Sequence, residues 1–184
     1  MNKKLIISII AAIAILILIS AIYFYLFSLI DNSQILSKKP YVNTEFGWKI
    51  YYPEGWEIYD EDNNYVTFLN NNTDDFYIPR IKVEEPGFFE NITLDEKIIE
   101  MNNLFENDSG EDFVLLSQRN RTIDNMDSYE FVYNYKMTFD WVKFKQIFIE
   151  KNREIFEIHY VAFEDTYDTF ENIAEECIKS FEFI

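Results

Sequence analysis

The chain has 184 residues and is strongly acidic, with 33 Asp and Glu against 16 Lys and Arg and a formal net charge of −17 at pH 7. Such a charge repels nucleic acid, so nucleic-acid binding is excluded as a function, whereas cationic and basic partners remain open. The chain contains one Cys and one His. It therefore forms no intramolecular disulfide, and a metal site built from His and Cys alone is excluded by the count.

The first predicted element is a membrane-spanning helix over residues 5–30. No charged residue occurs in this run, and a helix of that length is longer than the ~30 Å hydrocarbon core of a bilayer. The alternative is a signal peptide cleaved near residues 19–21. However, the apolar run continues through Phe27, past the length of a usual h-region. We therefore predict a retained anchor rather than a cleaved leader.

The basic residues beside the anchor predict its orientation. Lys3 and Lys4 precede the apolar run, and Lys38 and Lys39 follow it, so the count of the positive-inside rule is tied. The α-amino group and the position of Lys3 and Lys4 directly before the run favour a cytoplasmic N-terminus. The prediction is a single-pass protein of the cell membrane with its soluble domain outside the cytoplasm.

Four N-x-Ser/Thr sequons lie in the predicted outer domain, more than the one or two that chance would supply. Sequons at this frequency are typical of a glycosylated surface protein, in agreement with the predicted orientation. The candidate acceptor residues are Asn71, Asn91, Asn107 and Asn120.

After the anchor, residues 31–44 form a predicted juxtamembrane linker and residues 45–184 a single domain. Asp and Asn at 60–64 favour a turn between two of the first strands. A helix follows these strands, because Thr93 and Glu96 form a capping box ahead of an apolar stripe of helical period. The first strands are predicted at 47–52, 56–59, 65–69 and 76–83.

The second half of the domain predicts four longer strands and a closing helix. The strand over 128–139 alternates aromatic and polar side chains, which is typical of a half-buried antiparallel strand. Cys177 lies on the apolar stripe of the closing helix, so we expect a buried, unreactive thiol. These elements predict an α+β domain, an antiparallel sheet with helices packed on it. The strands are predicted at 113–122, 128–139, 141–150 and 154–163, and the helix at 166–179.

The segment from Trp48 to Trp56 resembles the opening signature of the PsbP-like family, in which a strand runs into Tyr-Pro-x-Gly-Trp. The end of the chain, from Ile173 to Phe183, is similar to the last helix of that family and its Ser-Phe pair. The resemblance covers residues 44–184. It implies an α-β-α sandwich with a central antiparallel sheet.

The function that this resemblance implies is binding rather than catalysis. The family includes the PsbP extrinsic subunit of photosystem II, a yeast Ran-binding relative and membrane-anchored prokaryotic proteins, and its known members bind and position other proteins. It supplies no active-site residues to transfer to this chain. The signature has a structural explanation, because Pro53 fixes a turn, Gly55 frees a backbone dihedral and Trp56 fills the sheet edge.

Two places in the sequence are candidates for a catalytic or metal-binding site. His159 is the candidate general base, with Glu157 two positions away on the same strand face. No nucleophile, phosphate-loop or dinucleotide motif accompanies it in the sequence, so we interpret it as a structural residue that faces the helix layer or solvent.

The second position is a possible start of a calcium loop at Asp60, Asp62 and Asn64. Tyr65 stands where an EF-hand has Gly, and Asn71 stands where it has a bidentate Glu, so we interpret the segment as a plain hairpin turn. The sequence accordingly predicts no catalytic, cofactor-binding or metal-binding residues and no cofactor.

These patterns favour an extracytoplasmic binding or assembly module that is held by its N-terminal helix and docks a protein partner. The alternative is an extracytoplasmic hydrolase that uses paired carboxylates. A deep cleft with two inward carboxylates, one of them with a raised pKa, would favour the hydrolase.

Overall fold

The structure is a computed structural model that describes Ser20 and residues 38–62, 64–70, 79–86, 91–107, 112–138 and 140–184. The predicted membrane helix therefore lies outside the described residues, apart from Ser20. Within the described part of the chain, no helix is both long and apolar enough to cross a membrane.

Ten strands and two helices make up the described domain. The strands are β1 (Lys38–Asn43), β2 (Trp48–Pro53), β3 (Trp56–Asp62), β4 (Tyr65–Asn70), β5 (Arg80–Glu84), β6 (Phe113–Ile123), β7 (Met126–Met137), β8 (Asp140–Lys151), β9 (Glu154–Phe163) and β10 (Glu182–Phe183), and the helices are α1 (Leu94–Asn107) and α2 (Glu164–Ile178).

Seven strands form the main sheet, in the order β3-β4-β5-β9-β8-β7-β6, and every neighbouring pair is antiparallel. A smaller antiparallel sheet has the order β1-β2-β10. The α+β class predicted from the sequence is confirmed.

The two helices cover opposite faces of the main sheet. Phe156 of β9 packs in the core beneath α2, together with Ala174 and Ile178. The next residue, Ile155, packs in a second core with Met101 and Phe105 of α1. Because successive side chains of a strand point to opposite faces, the sheet lies between the helices as the predicted sandwich requires.

The start of α1 has the predicted capping box. The backbone N–H of Thr93 donates to Glu96 Oε2 at 2.7 Å, and the N–H of Glu96 donates to Thr93 Oγ1 at 3.3 Å. The two side chains thus accept hydrogen bonds from backbone N–H groups that have no partner within the first turn of a helix.

Cys177 is buried, as predicted. Its side chain belongs to the core beneath α2 and is only 1% exposed. Burial raises the pKa of the thiol, so little of the reactive thiolate is present.

Four local predictions differ from the structure. The fourth strand, predicted at 76–83, covers Arg80–Glu84 as β5, and residues 76–78 lie outside the described residues. β1 begins at Lys38, inside the predicted linker, because residues 38–43 pair along the whole of β2. β3 continues to Asp62, so the strand includes part of the predicted 60–64 turn. The expectation that the strand over 128–139 is half-buried is wrong, since both Phe131 and its neighbour Glu130 are almost fully buried. The reason is that α2 covers the face that carries the polar residues of β7.

Candidate functional site

A concave, polar region lies on the main sheet, on the same face as α1. In the strand register Thr67 of β4 lies opposite Lys82 of β5, which in turn lies opposite His159 of β9. Glu84 lies opposite Glu157 two pairs further along, on the same face. Helix α1 contacts β6, β7 and β8, so among the described residues neither helix covers this end of the face.

We call this region the basin. Its volume is about 350 Å³. It is lined by Tyr59, Asp60, Tyr65, Thr67, Arg80, Lys82, Glu84, Phe144, His159 and Val161.

A β-bulge directs one aromatic side chain to the rim of the basin. The register between β3 and β4 shifts between Ile58 and Asp60, which leaves Tyr59 as the extra residue. Tyr59 is 70% exposed. Bulges re-aim side chains and are common beside functional sites.

His159 lies between two carboxylates at the floor of the basin. Its Nε2 atom is 3.2 Å from Glu157 Oε2 and 3.4 Å from Glu84 Oε2. The Nε2 atom is fully buried, yet neither contact has the geometry of a directed hydrogen bond. The sequence predicted the His159–Glu157 pair on one strand face, and the structure confirms that the two side chains meet.

The second oxygen of each carboxylate contacts a lysine. Lys82 pairs with Glu84 Oε1, and Lys97 Nζ lies 3.4 Å from Glu157 Oε1. The amide of Gln146 also donates to Glu157 Oε2 at 3.0 Å. These contacts fix both carboxylates so that Oε2 faces His159.

The charges in this cluster shift the pKa values of its members. Contact with His159, aided by Lys82, lowers the pKa of Glu84 to about 2. Burial raises the pKa of Glu157, but His159 and Lys97 outweigh it and the net shift is downward. Burial lowers the pKa of His159, and the two facing carboxylates outweigh burial and raise it. Both carboxylates of the cluster are therefore ionised at neutral pH.

A larger concavity of about 640 Å³ lies at the start of α1, and its lining includes Asp95, Asp127 and Glu150. Glu150 Oε2 accepts the backbone N–H of Leu94 at 2.7 Å. This carboxylate thus serves the N-terminus of α1, where negative charge is stabilising. We take the basin, not this concavity, as the candidate site because the basin joins the charged cluster to an exposed aromatic residue.

The predicted glycosylation acceptors are spread over the surface. Asn91, Asn107 and Asn120 are exposed, and Asn71 lies outside the described residues. Exposure is what a glycan requires, and use of these sequons remains a prediction.

The residues that resemble the start of a calcium loop, Asp60 and Asp62, make contacts within the chain. Asp60 Oδ2 accepts the hydroxyl of Tyr65 at 2.7 Å, and Asp60 and Asp62 both lie within β3. The structure thus has a strand where a calcium loop would need a turn.

Sequence reasoning missed Glu84 and Lys82 as members of the cluster. Both lie on β5, and their position beside His159 depends on the pairing of β5 with β9, strands that are far apart in the chain. An alternating Arg-Ile-Lys-Val-Glu strand shows that these residues share a face, but it does not show which strand they meet.

No protein-family model and no curated protein matches the chain in sequence. Solved structures match most of the domain. The solution structure of cyanobacterial PsbP (CyanoP) from Synechocystis sp. PCC 6803 has a TM-score of 0.59 at 18% identity, over 80% of this chain and 93% of that one. The fold is that of the PsbP-like proteins.

Two further solved structures have the same PsbP-like fold. The Ran-binding protein Mog1p of Saccharomyces cerevisiae matches with a TM-score of 0.54 at 10% identity, over 80% of this chain and 95% of its own. LpqN of Mycobacterium tuberculosis, described as involved in cell envelope biogenesis, matches with a TM-score of 0.56 at 13% identity, over 79% of this chain and 89% of its own. At such identities the likeness establishes the fold alone.

Proposed function

We propose that this chain is a membrane-anchored module that docks a macromolecular partner outside the cytoplasm and turns over no substrate. The PsbP-like fold supports a binding role, since Mog1p, which shares the fold, is a Ran-binding protein by name. The basin supplies a surface on which such docking would occur.

The observation that carries this proposal is the composition of the basin rim. Tyr59 is held outward by the bulge in β3, and Tyr65 and Arg80 line the same concavity. Tyr and Arg are enriched among the residues that dominate binding energy at protein interfaces. An exposed aromatic residue beside charged groups on a sheet is suited to docking.

The placement outside the cytoplasm is supported by the sequence. The uncharged run over residues 5–30 is long enough to span a bilayer, and Lys3 and Lys4 stand directly before it. All 33 acidic residues follow the run. The exposed sequons Asn91, Asn107 and Asn120 fit this placement.

A paired-carboxylate hydrolase is not favoured by the basin. Such an enzyme needs one carboxyl group that stays protonated near neutral pH as the general acid. In the cluster, Glu84 and Glu157 both have lowered pKa values and are ionised.

A photo-crosslinking experiment on the full chain in its native membrane tests the proposal. A photoreactive phenylalanine analogue is placed at Tyr59, and in a matched control at Ile99, which is 60% exposed on α1. We expect one discrete protein adduct from position 59 and none of that size from position 99. Because charge attraction is screened over ~10 Å at 0.1 M salt and over ~3 Å at 1 M, the yield should fall as salt rises.

Two results would contradict the proposal. The first is the same set of adducts from positions 59 and 99, which would remove the basin as the docking surface. The second is a hydrolytic activity of the purified chain that disappears in His159→Gln, Glu84→Gln or Glu150→Gln, which would make the protein an enzyme.

A further inference from the structure

We infer that the cluster of Glu84, Glu157 and His159 is a binding site for a divalent transition-metal ion, of which Zn²⁺ is the best fit. This inference goes beyond docking, and it departs from the sequence prediction of no metal site. That prediction considered His with Cys and a calcium loop at Asp60, Asp62 and Asn64. It did not consider one His between two carboxylates that come together from different strands.

The spacing of the three ligand atoms fits a tetrahedral ion. Ligand atoms ~2.0 Å from a tetrahedral zinc ion lie ~3.3 Å from one another. His159 Nε2 lies 3.2 Å from Glu157 Oε2 and 3.4 Å from Glu84 Oε2, and one ligand atom from each of the three residues lies within 4.8 Å of the other two. The two separations from Nε2 thus match those of a tetrahedral zinc site before any side chain moves.

The state of Nε2 is a separate observation that points to a ligand. This nitrogen is fully buried and aimed at two carboxylate oxygens, but it makes no directed hydrogen bond to either. Ion-paired N–H···O contacts of good geometry are shorter, at about 2.7–2.9 Å. A metal ion between the three atoms would displace the proton that the carboxylates hold on His159 and would contact all three atoms at once.

The surrounding contacts resemble those that orient metal ligands. Carboxylates that bind metals are themselves hydrogen-bonded, and these partners fix the ligand atoms. Here Lys82 holds Glu84 through Oε1, Lys97 faces Glu157 through Oε1, and Gln146 donates to Glu157. The two lysines contact the Oε1 atoms, so both Oε2 atoms face His159, and Glu157 Oε2 also accepts from Gln146. The lysine charges reduce the affinity for a cation.

The chemistry of the donors selects the class of metal. Imidazole suits zinc and its neighbours among the transition metals, whereas Ca²⁺ and Mg²⁺ prefer sets of oxygen ligands. Glu84 and His159 line the basin, so a remaining position of a bound ion would face the basin. The net charge of −17 also attracts cations to the surface.

Zinc titration of the full chain in detergent, without a histidine tag and after treatment with a chelator, tests this site by calorimetry. We expect one Zn²⁺ per chain, with no competition from Ca²⁺ or Mg²⁺. His159→Gln and Glu84→Gln should each weaken binding by ~10-fold or more. Glu154→Gln is the matched control, because it removes an exposed carboxylate from the same strand as His159. The zinc affinity of this variant should stay within about twofold of that of the unsubstituted chain.

X-ray absorption of the zinc-loaded, unsubstituted chain tests the site even if a variant fails to fold. His159 is the single histidine of the chain, so an imidazole in the zinc shell assigns the site directly. We expect one imidazole with oxygen ligands at ~2.0 Å and no sulfur. Equal affinity in His159→Gln, or a shell without imidazole, would overturn the inference. Neither result affects the crosslink expected at Tyr59, so the two proposals fail separately.

Discussion

At the residue scale, Glu85 shows how burial changes the chemistry of one side chain. Glu85 follows β5, is 6% exposed, and accepts a hydrogen bond from the amide of Asn43 at 2.7 Å. Burial raises the pKa of Glu85 to about 7, and repulsion from Glu45 adds to this, while contacts from Asn43 and Trp48 oppose it. This carboxyl group is thus half protonated near neutral pH, unlike its neighbour Glu84.

The raised pKa of Glu85 predicts a pH-dependent stability. Between its unfolded pKa of 4.5 and about pH 7, the folded state holds a proton that the unfolded chain has lost. The free energy of unfolding therefore falls as the pH rises through this window and levels off above it. Glu85→Gln does not titrate. The difference in unfolding free energy between the unsubstituted chain and Glu85→Gln should change by on the order of 3 kcal/mol across the window.

Urea unfolding of the full chain at several pH values, with a chelator present, measures this difference. Tyr41 and Glu45 are titratable groups that interact with Glu85, and they remain in both chains, so their contributions largely cancel. Glu154→Gln serves as the control and should show no such change. A difference for Glu85→Gln that stays flat between about pH 5 and about pH 8 would show that Glu85 titrates normally.

At the element scale, a salt-bridge network ties α2 to the main sheet. Arg121 of β6 contacts Glu130 of β7, with Nη1 2.5 Å from Oε2, and also pairs with Glu175 of α2. Lys145 of β8 reaches the same Glu175 at 3.2 Å. The Glu130 side chain is only 3% exposed, and Arg119 contacts it as well as Arg121.

Replacing Arg121 should therefore be costly. Arg121→Met would remove the partner that Glu130 and Glu175 share, although Arg119 and Lys145 still contact them. The expected cost is therefore about 3 kcal/mol, at the lower end of that for breaking a buried pair. Arg119→Met is the matched control, because Arg119 contacts the same Glu130 but its side chain is 60% exposed, and it should cost less than about 1 kcal/mol. Thermal or urea unfolding of both variants measures the contrast. Equal losses in the two variants would show that the inner arginine has no special role.

The network also shows which features of the fold were predictable from the sequence. Strands β6 to β9 follow one another through short turns, so local patterns predicted their bounds closely. Burial of Glu130 was not predictable, since it depends on α2 returning over β7 from later in the chain. The pairing of β5 with β9 is equally non-local, which is why His159 and Glu157 were predicted as neighbours and Glu84 was not.

At the scale of the whole molecule, the acidic charge and the basin act over different distances. The net charge of −17 produces a long-range field that attracts basic partners and speeds their encounter. The basin itself contains both signs of charge, since Arg80 and Lys82 stand beside Asp60 and Glu84. The net charge thus attracts basic partners, and the basin selects among them. Only the long-range attraction depends strongly on salt.

The last prediction concerns the anchor over residues 5–30. We expect mass spectrometry of the protein from native membranes to find the N-terminus retained, because the apolar run is longer than a usual signal peptide's core. A protease added to intact cells should remove the domain. A mature chain that starts near Ile22 would show cleavage, and a domain protected in intact cells would show the opposite orientation. If the domain is cytoplasmic, glycosylation at Asn91, Asn107 and Asn120 is excluded with it, so the same experiment decides whether those sequons can be used.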